Sequence, residues 1–191
     1  MRLRCCWVNS AVSEPTQRLF FALWPTGPVR DAIDRFSRHE IRKRARRVPA
    51  RNLHITLAFA GSVTSPVRDC LETGAEHISA EPFDLQIDTV GYWPRPRIIW
   101  AGPAQSPPAA WGLVMSLREL FLACELQPEA RAWQPHITLA RKAGQGLAVK
   151  QAGPVEWTIR DFCLVESVTE ESGASYRILR RWSLVGQSGS V

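Results

Sequence analysis

The chain has 191 residues, 45% of them hydrophobic, and a formal net charge of +6. That is the length of one domain with enough apolar material for a core, which excludes a disordered protein. No stretch approaches the roughly 20 consecutive apolar residues that cross a bilayer, and the apolar patch at 5–8 is too short for a secretory leader, so no membrane partner and a cytoplasmic location are expected.

In chain order, RLFFALW at 18–24 is an apolar run closed by Pro25 and reads as a buried strand. Val29, Ile33, Phe36 and Ile41 stand near helical spacing, which predicts a helix over 29–45 that ends before Pro49. A strand follows at HITLAF (54–59), then a helix over 66–79 with Ser65 as cap and Pro66 in its first turn. FDLQIDTV at 83–90 alternates apolar and polar residues, the pattern of a half-buried strand, and GYWPRP turns it into a second strand at 97–101. Pro107 and Pro108 introduce a helix over 109–126, with Leu113, Leu117, Leu120 and Leu122 expected on its buried side. HITLAR (136–141) is again a strand, followed by a Gly-rich stretch at 144–153. Segments 157–166 and 175–184 read as an antiparallel pair around a turn at 170–173. Residues 1–17 and 186–191 read as poorly anchored tails around a single domain at 18–185.

The five cysteines are odd in number and lack CxxC spacing, so they read as free thiols in a reducing compartment rather than a disulfide frame or zinc site. Residues 42–47 (RKRARR) hold five cations, a run that suits either a solvated helix end or contact with a polyanion.

The near-identity of HITLAF and HITLAR uses two of the four histidines. On a strand, alternate side chains share a face. His54 and Thr56 therefore point one way while Ile55 and Leu57 point into a core, and the same holds for His136 and Thr138 against Ile137 and Leu139. Two such strands side by side would gather two imidazoles and two hydroxyls. One imidazole could take a proton from water as the other delivers one to a leaving oxygen, with the hydroxyls donating to phosphate oxygens. Two histidine ligands leave a divalent ion under-coordinated, and neither motif holds an acidic residue, so no metal is expected.

The paired motifs, together with RLFFALWP at 18–25, VPARNLHITLAFAGSV at 48–63, PFDLQIDTVGYWPRPRIIWAGP at 82–103 and PHITLARK at 135–142, resemble the two-histidine phosphoesterase superfamily. Within it the chain is similar to the bacterial and archaeal RNA 2′,3′-cyclic phosphodiesterases, historically called 2′-5′ RNA ligases. The resemblance implies an α+β fold: two pseudo-symmetric lobes of antiparallel sheet flanked by helices, with one His-x-Thr-x motif from each lobe in a central cleft. It further implies an enzyme that hydrolyses a terminal 2′,3′-cyclic phosphate on RNA to a 2′-phosphomonoester without metal; no cofactor and a monomeric state are expected beside it. His54 would be the acid that protonates the leaving 3′-oxygen, His136 the base that activates water, and Thr56 and Thr138 the phosphate-binding hydroxyls. Ligation of 2′-5′ bonds in the same site, or non-catalytic binding of RNA ends, are the alternatives. With phosphate chemistry expected, the run at 42–47 gains weight as an RNA contact. Arg141 follows the second motif, yet strand alternation points it away from His136. Trp93, Trp100 and Trp133 are candidates for stacking a base.

Overall fold

The structure, a computed structural model, describes residues 14–41, 45–144, 150–170 and 173–185. Its elements are β1 (Gln17–Leu23), α1 (Gly27–Glu40), β2 (Arg46–Arg47), a 3₁₀ turn (Ala50–Asn52), β3 (Ile55–Val63), α2 (Ser65–Ala75), β4 (Phe83–Trp93), β5 (Ile98–Gly102), α3 (Pro108–Ala123), β6 (Ile137–Arg141), β7 (Lys150–Ile159), β8 (Asp161–Glu170) and β9 (Gly173–Ser183). They form one antiparallel sheet in the order β7-β4-β5-β6-β3-β1-β8-β9, with β2 alongside β6. The fold is α+β, as the sequence led us to expect.

The sheet divides at its middle. β3 and β6 meet at a single register pair, Ile55↔Ile137, and the strands on either side form two four-stranded lobes that mirror each other. One motif strand lies at the inner edge of each lobe. The lobes are not the two halves of the sequence, however. β8 pairs with β1, and β9 with β8, so the last hairpin crosses back to complete the first lobe, while β7 completes the second against β4.

β1 reads as a continuous apolar run because both of its faces are covered. Leu19, Phe21 and Leu23 belong to the main core with residues of all three helices, among them Ile33, Leu71, Leu113 and Phe121. Phe20, Ala22 and Trp24 form a smaller cluster with Cys163 and Val165. The tail expected at 1–17 overlaps this strand: Gln17 is its first residue, and its side-chain amide donates to Glu166 over 2.9 Å. Residues 1–13 and 186–191 lie outside the described residues.

Several local expectations need correction. α1 stops at Glu40, well before Pro49, and Ser65 lies inside α2, whose cap is Thr64. Leu122 is 57% exposed rather than buried, because at about 100° per residue it lies across the helix from Leu113 and Leu117. The strand read at 157–166 is two strands, broken at Arg160. The cysteines are not all free thiols. Cys70 on α2 and Cys124 at the end of α3 form a disulfide, with Cα atoms 5.9 Å apart, and Cys163 is a buried free thiol. Cys5 and Cys6 fall outside the described residues. The packing of α2 on α3 makes this bond possible. Gly74 lets the helices approach, since a Cβ there would sit 2.2 Å from Leu120 Cδ1. Among the described residues, no helix is long and apolar enough to cross a membrane.

Candidate active site

The register at Ile55↔Ile137 determines what lies beside the junction. Both isoleucines are fully buried in the main core, so the residues flanking them turn to the other side of the sheet. Extending the antiparallel register by one residue each way sets His54 across from Thr138 and Thr56 across from His136. Each histidine therefore stands across the junction from the other motif's threonine. Two hollows carry these two pairs. His54 and Thr138 line one of about 210 Å³, and His136 and Thr56 line another of about 370 Å³.

Each imidazole is oriented by the same device. His54 Nδ1 donates to the Asn52 carbonyl at 2.7 Å, and His136 Nδ1 to the Gln134 carbonyl at 2.8 Å. A carbonyl can only accept, so the Nδ1 proton is fixed and Nε2 is left as the basic nitrogen of each neutral ring. Both carbonyls lie in anchored loops. The Asn52 side chain donates to Ala174 O at 3.1 Å on β9, and Trp133 Nε1 donates to Thr56 O at 2.9 Å. Trp133 is thus a structural tie between the His136 loop and the first motif. Gly102 has a related duty: a Cβ there would meet the Pro135 carbonyl at 2.5 Å, so only glycine lets the His136 loop lie against β5.

Aromatic rings enclose both histidines. Trp24 stacks on His54 with centroids 4.9 Å apart and planes within 2°, and Phe20 and Tyr176 close in at 5.1 and 5.0 Å. Trp93 meets His136 edge to face at 4.5 Å, with Trp100 behind Trp93 at 5.3 Å. Removal from water lowers the His54 pKa from 6.5 to about 4; its bond to Asn52 opposes the shift, and the charges of His136 and Arg141 reinforce it. His136 is lowered chiefly by burial as well, with Arg141 adding to the effect. Both shifts favour the neutral ring at pH 7.

Arg141 lies where simple alternation did not put it. Trp100 pairs with Thr138 and Ile99 with Ala140, so Leu139 is an extra residue in β6. This bulge shifts the alternation by one, and Arg141 comes out beside His54 and Thr138 in the smaller hollow. The first motif has the same bulge: Ala22 pairs with Thr56 and Phe21 with Ala58, leaving Leu57 extra. Phe59, the counterpart of Arg141, accordingly lines the larger hollow.

The basic run reaches the site through strand pairing rather than as a helix end. After β3 leaves β6, β2 takes over its edge, with Arg46 opposite Arg141 and Val48 N donating to Leu139 O at 2.8 Å. Among the described residues, Arg46, Arg47, Arg51, Arg141 and Lys142 line the smaller hollow and no carboxylate does. Buried Asp34 on α1 holds Arg47 at 2.5 Å. Residues 42–44 lie outside the described residues. Asn52, Gln134, Tyr176 and Asp34 had no signal in the sequence, because each acts through a tertiary neighbour or a main-chain oxygen. Among the described residues, no group of three or more His, Cys, Asp or Glu side chains gathers as a metal site.

A two-lobed antiparallel sheet with a His-x-Thr strand at the inner edge of each lobe defines a class, and comparison with known proteins agrees with it. Residues 25–171 match the 2′-5′ RNA ligase superfamily, and the chain belongs to that family. It is 34% identical over 176 residues to the RNA 2′,3′-cyclic phosphodiesterase of Escherichia coli, covering 91% of this chain and 99% of that one. It is 30% identical over 185 residues to the protein of the same name from Thermus thermophilus, covering 90% and 92%. The crystal structure of E. coli LigT in its apo form superimposes with a TM-score of 0.83 at 31% identity, over 90% of this chain and 99% of that one.

Proposed function

We propose that this chain is an RNA 2′,3′-cyclic phosphodiesterase that opens a terminal cyclic phosphate to a 2′-phosphomonoester by metal-free acid–base catalysis. The observation that carries the reading is the crossed pairing of two His-Thr sets about Ile55↔Ile137, with both Nδ1 atoms engaged and both Nε2 atoms left for proton transfer. The curated relatives bear the same activity in their names.

The charge distribution supports the direction of the reaction. The leaving 3′-oxygen belongs to the ribose that continues into the RNA, so upstream phosphates must lie on the leaving-group side. The hollow beside His54, lined among the described residues by five cations and no carboxylate, is the side suited to them. His54 is then the acid that protonates O3′. His136, on the opposite side, takes the proton from water as the water attacks phosphorus in line. Thr56 and Thr138 donate to the non-bridging oxygens, and Arg141 neutralises their charge. Phosphates bound beside His54 add negative charge, which raises its pKa and favours the protonated ring that the acid role requires.

The test is incubation of an oligoribonucleotide ending in 2′,3′-cyclic phosphate with the protein in EDTA, followed by identification of the product. A 2′-phosphomonoester is expected. Activity lost in EDTA and restored by a divalent ion would overturn the metal-free mechanism, and a 3′-phosphate product would reverse the choice of leaving oxygen.

A further inference from the structure

Asp34 and Ser37 are buried polar residues of α1, 6% and 0% exposed, on the side of the helix that carries Ile33 into the main core. Polar groups buried there cost stability unless they are bonded, and one side chain takes up both. Arg47 Nη2 donates to Asp34 Oδ1 at 2.5 Å, and Arg47 Nε donates to Ser37 Oγ at 3.4 Å. The other carboxylate oxygen accepts from Arg38, one turn along the helix. α1 thus offers Arg47 a seat with two acceptors.

The strand held by that seat is electrostatically uncomfortable. β2 has two residues, and its register sets Arg46 directly opposite Arg141. Like charges at opposed positions destabilise a strand pair. Among the described residues, no carboxylate lines the smaller hollow to offset them. Successive side chains of a strand leave on opposite faces. Arg46 therefore shares the face of Arg141, and Arg47 takes the face that meets α1.

We infer that Asp34, with Ser37, is a positioning residue for RNA. By drawing Arg47 onto α1 it holds β2 against β6, and so keeps Arg46 in the wall of the smaller hollow. There Arg46 takes an upstream phosphate, next to the one that Arg141 neutralises. The inference rests on the reading of this hollow as the upstream side of the substrate. Arg47 is then an anchor rather than a phosphate contact, although it is one of the five cations of the wall. A nucleoside 2′,3′-cyclic phosphate has no upstream phosphate, so Asp34 matters for RNA and not for this minimal substrate.

The experiment measures kcat and KM of the full-length protein for two substrates, an oligoribonucleotide ending in 2′,3′-cyclic phosphate and a nucleoside 2′,3′-cyclic phosphate. Asp34→Asn keeps the shape of the side chain and removes its charge. It should raise KM for the oligoribonucleotide on the order of tenfold, the worth of one charged hydrogen bond. It should also lower the slope of log KM against log salt by about one. kcat for the oligoribonucleotide, and kcat/KM for the nucleoside substrate, should stay close to the parent's. Asp34→Glu should recover part of the loss. Arg46→Gln should raise the same KM, and adding Asp34→Asn to it should cost little more, since one residue acts through the other. The nucleoside substrate counts the folded enzyme, because a general loss of structure lowers turnover of both substrates together. If Asp34→Asn does not fold, Ser37→Ala tests the same seat and should raise KM for the oligoribonucleotide by less. An unchanged KM would overturn the inference, as would equal losses on both substrates or additive effects with Arg46→Gln. A lower KM would overturn it too, since that is what loss of a negative charge gives if the cations act only by long-range attraction. Each of these results leaves the hydrolase reading intact, whereas no turnover of either substrate by the unmodified protein would overturn both.

Discussion

Leu57 and Leu139 hold equivalent places in the two motif strands: each lacks a register partner on the neighbouring strand, and each is fully or almost fully buried. A bulge at these residues turns the side chain two positions on toward the cleft, which is how Arg141 comes to lie beside His54. Replacing Arg141 by Gln should lower kcat/KM for a cyclic-phosphate substrate by about 10- to 100-fold, the worth of a charged hydrogen bond. It should also flatten the salt dependence. Steady-state kinetics at several salt concentrations check this; an unchanged kcat/KM would mean that Arg141 only solvates the strand end.

Much of the fold was legible because local pattern and tertiary role agree. Alternation at 83–90 matches the buried Phe83, Leu85 and Ile87 of β4, and the duplicated HIT triplets mark the two inner strands. What escaped was non-local. No residue of β8 announces β1 as its partner, and nothing near Cys70 or Cys124 tells that α2 packs on α3. The break at Arg160 lacks the glycine or proline that usually marks a turn. Arg141 was misplaced because period-two reasoning assumes an unbroken ladder, and an extra residue in the ladder leaves no trace in composition.

The disulfide makes a stability prediction. Cys70 and Cys124 are separated by 54 positions, and closing a loop of that length stabilises the native state by about 2–4 kcal/mol. A Cys70→Ser variant, or the parent protein in strong reductant, should therefore melt at least several degrees lower. Calorimetry with and without reductant decides it: identical melting curves would show that the bond contributes nothing in solution.

Acid should weaken the fold through the active-site histidines. The His54 pKa is about 4 in the folded protein, against an ordinary histidine value of 6.5. Between those values the unfolded chain binds the additional proton, so stability falls as pH drops from about 6.5 to 4 and is insensitive to this group below that window. His136, lowered too, acts in the same direction. Each can steepen the dependence by at most about 1.4 kcal/mol per pH unit. Since Glu166, with its lowered pKa, also loses stability in acid, the test is a comparison. Urea unfolding of the parent and of His54→Asn should show the parent losing more between pH 6.5 and 4.5, and parallel losses would sink the assignment.

Gly102 offers a test of how tightly His136 is placed. An alanine Cβ would meet the Pro135 carbonyl at 2.5 Å, so Gly102→Ala must push the Pro135–His136 backbone away from β5. Displacement of a catalytic group by about 1 Å costs on the order of 100-fold in rate. The loss should appear in kcat more than in KM, because the cations proposed to hold the RNA lie on the other side of the junction. Full activity in Gly102→Ala would show that the loop tolerates the shift and that His136 does not depend on this contact.

The two histidines should be separable by role. On the proposed mechanism, His54→Ala removes the proton needed by the leaving 3′-oxygen, and His136→Ala leaves water unactivated. Either should cost about 10²–10⁴ in rate, and the double variant little more than the worse single one, since both act in one transition state. Thr56→Val and Thr138→Val should each cost less, about 10- to 10³-fold, as neutral donors to developing charge. A substrate with a much better leaving group in place of the 3′-oxygen needs little protonation, so it should restore His54→Ala far more than His136→Ala. Burial makes this a demanding test, because it disfavours the protonated form of His54. Restoration of His136→Ala instead would exchange the two roles and place the leaving oxygen on the aromatic side of the junction. Small, equal losses from both would reduce the pair to structural residues and end the hydrolase reading.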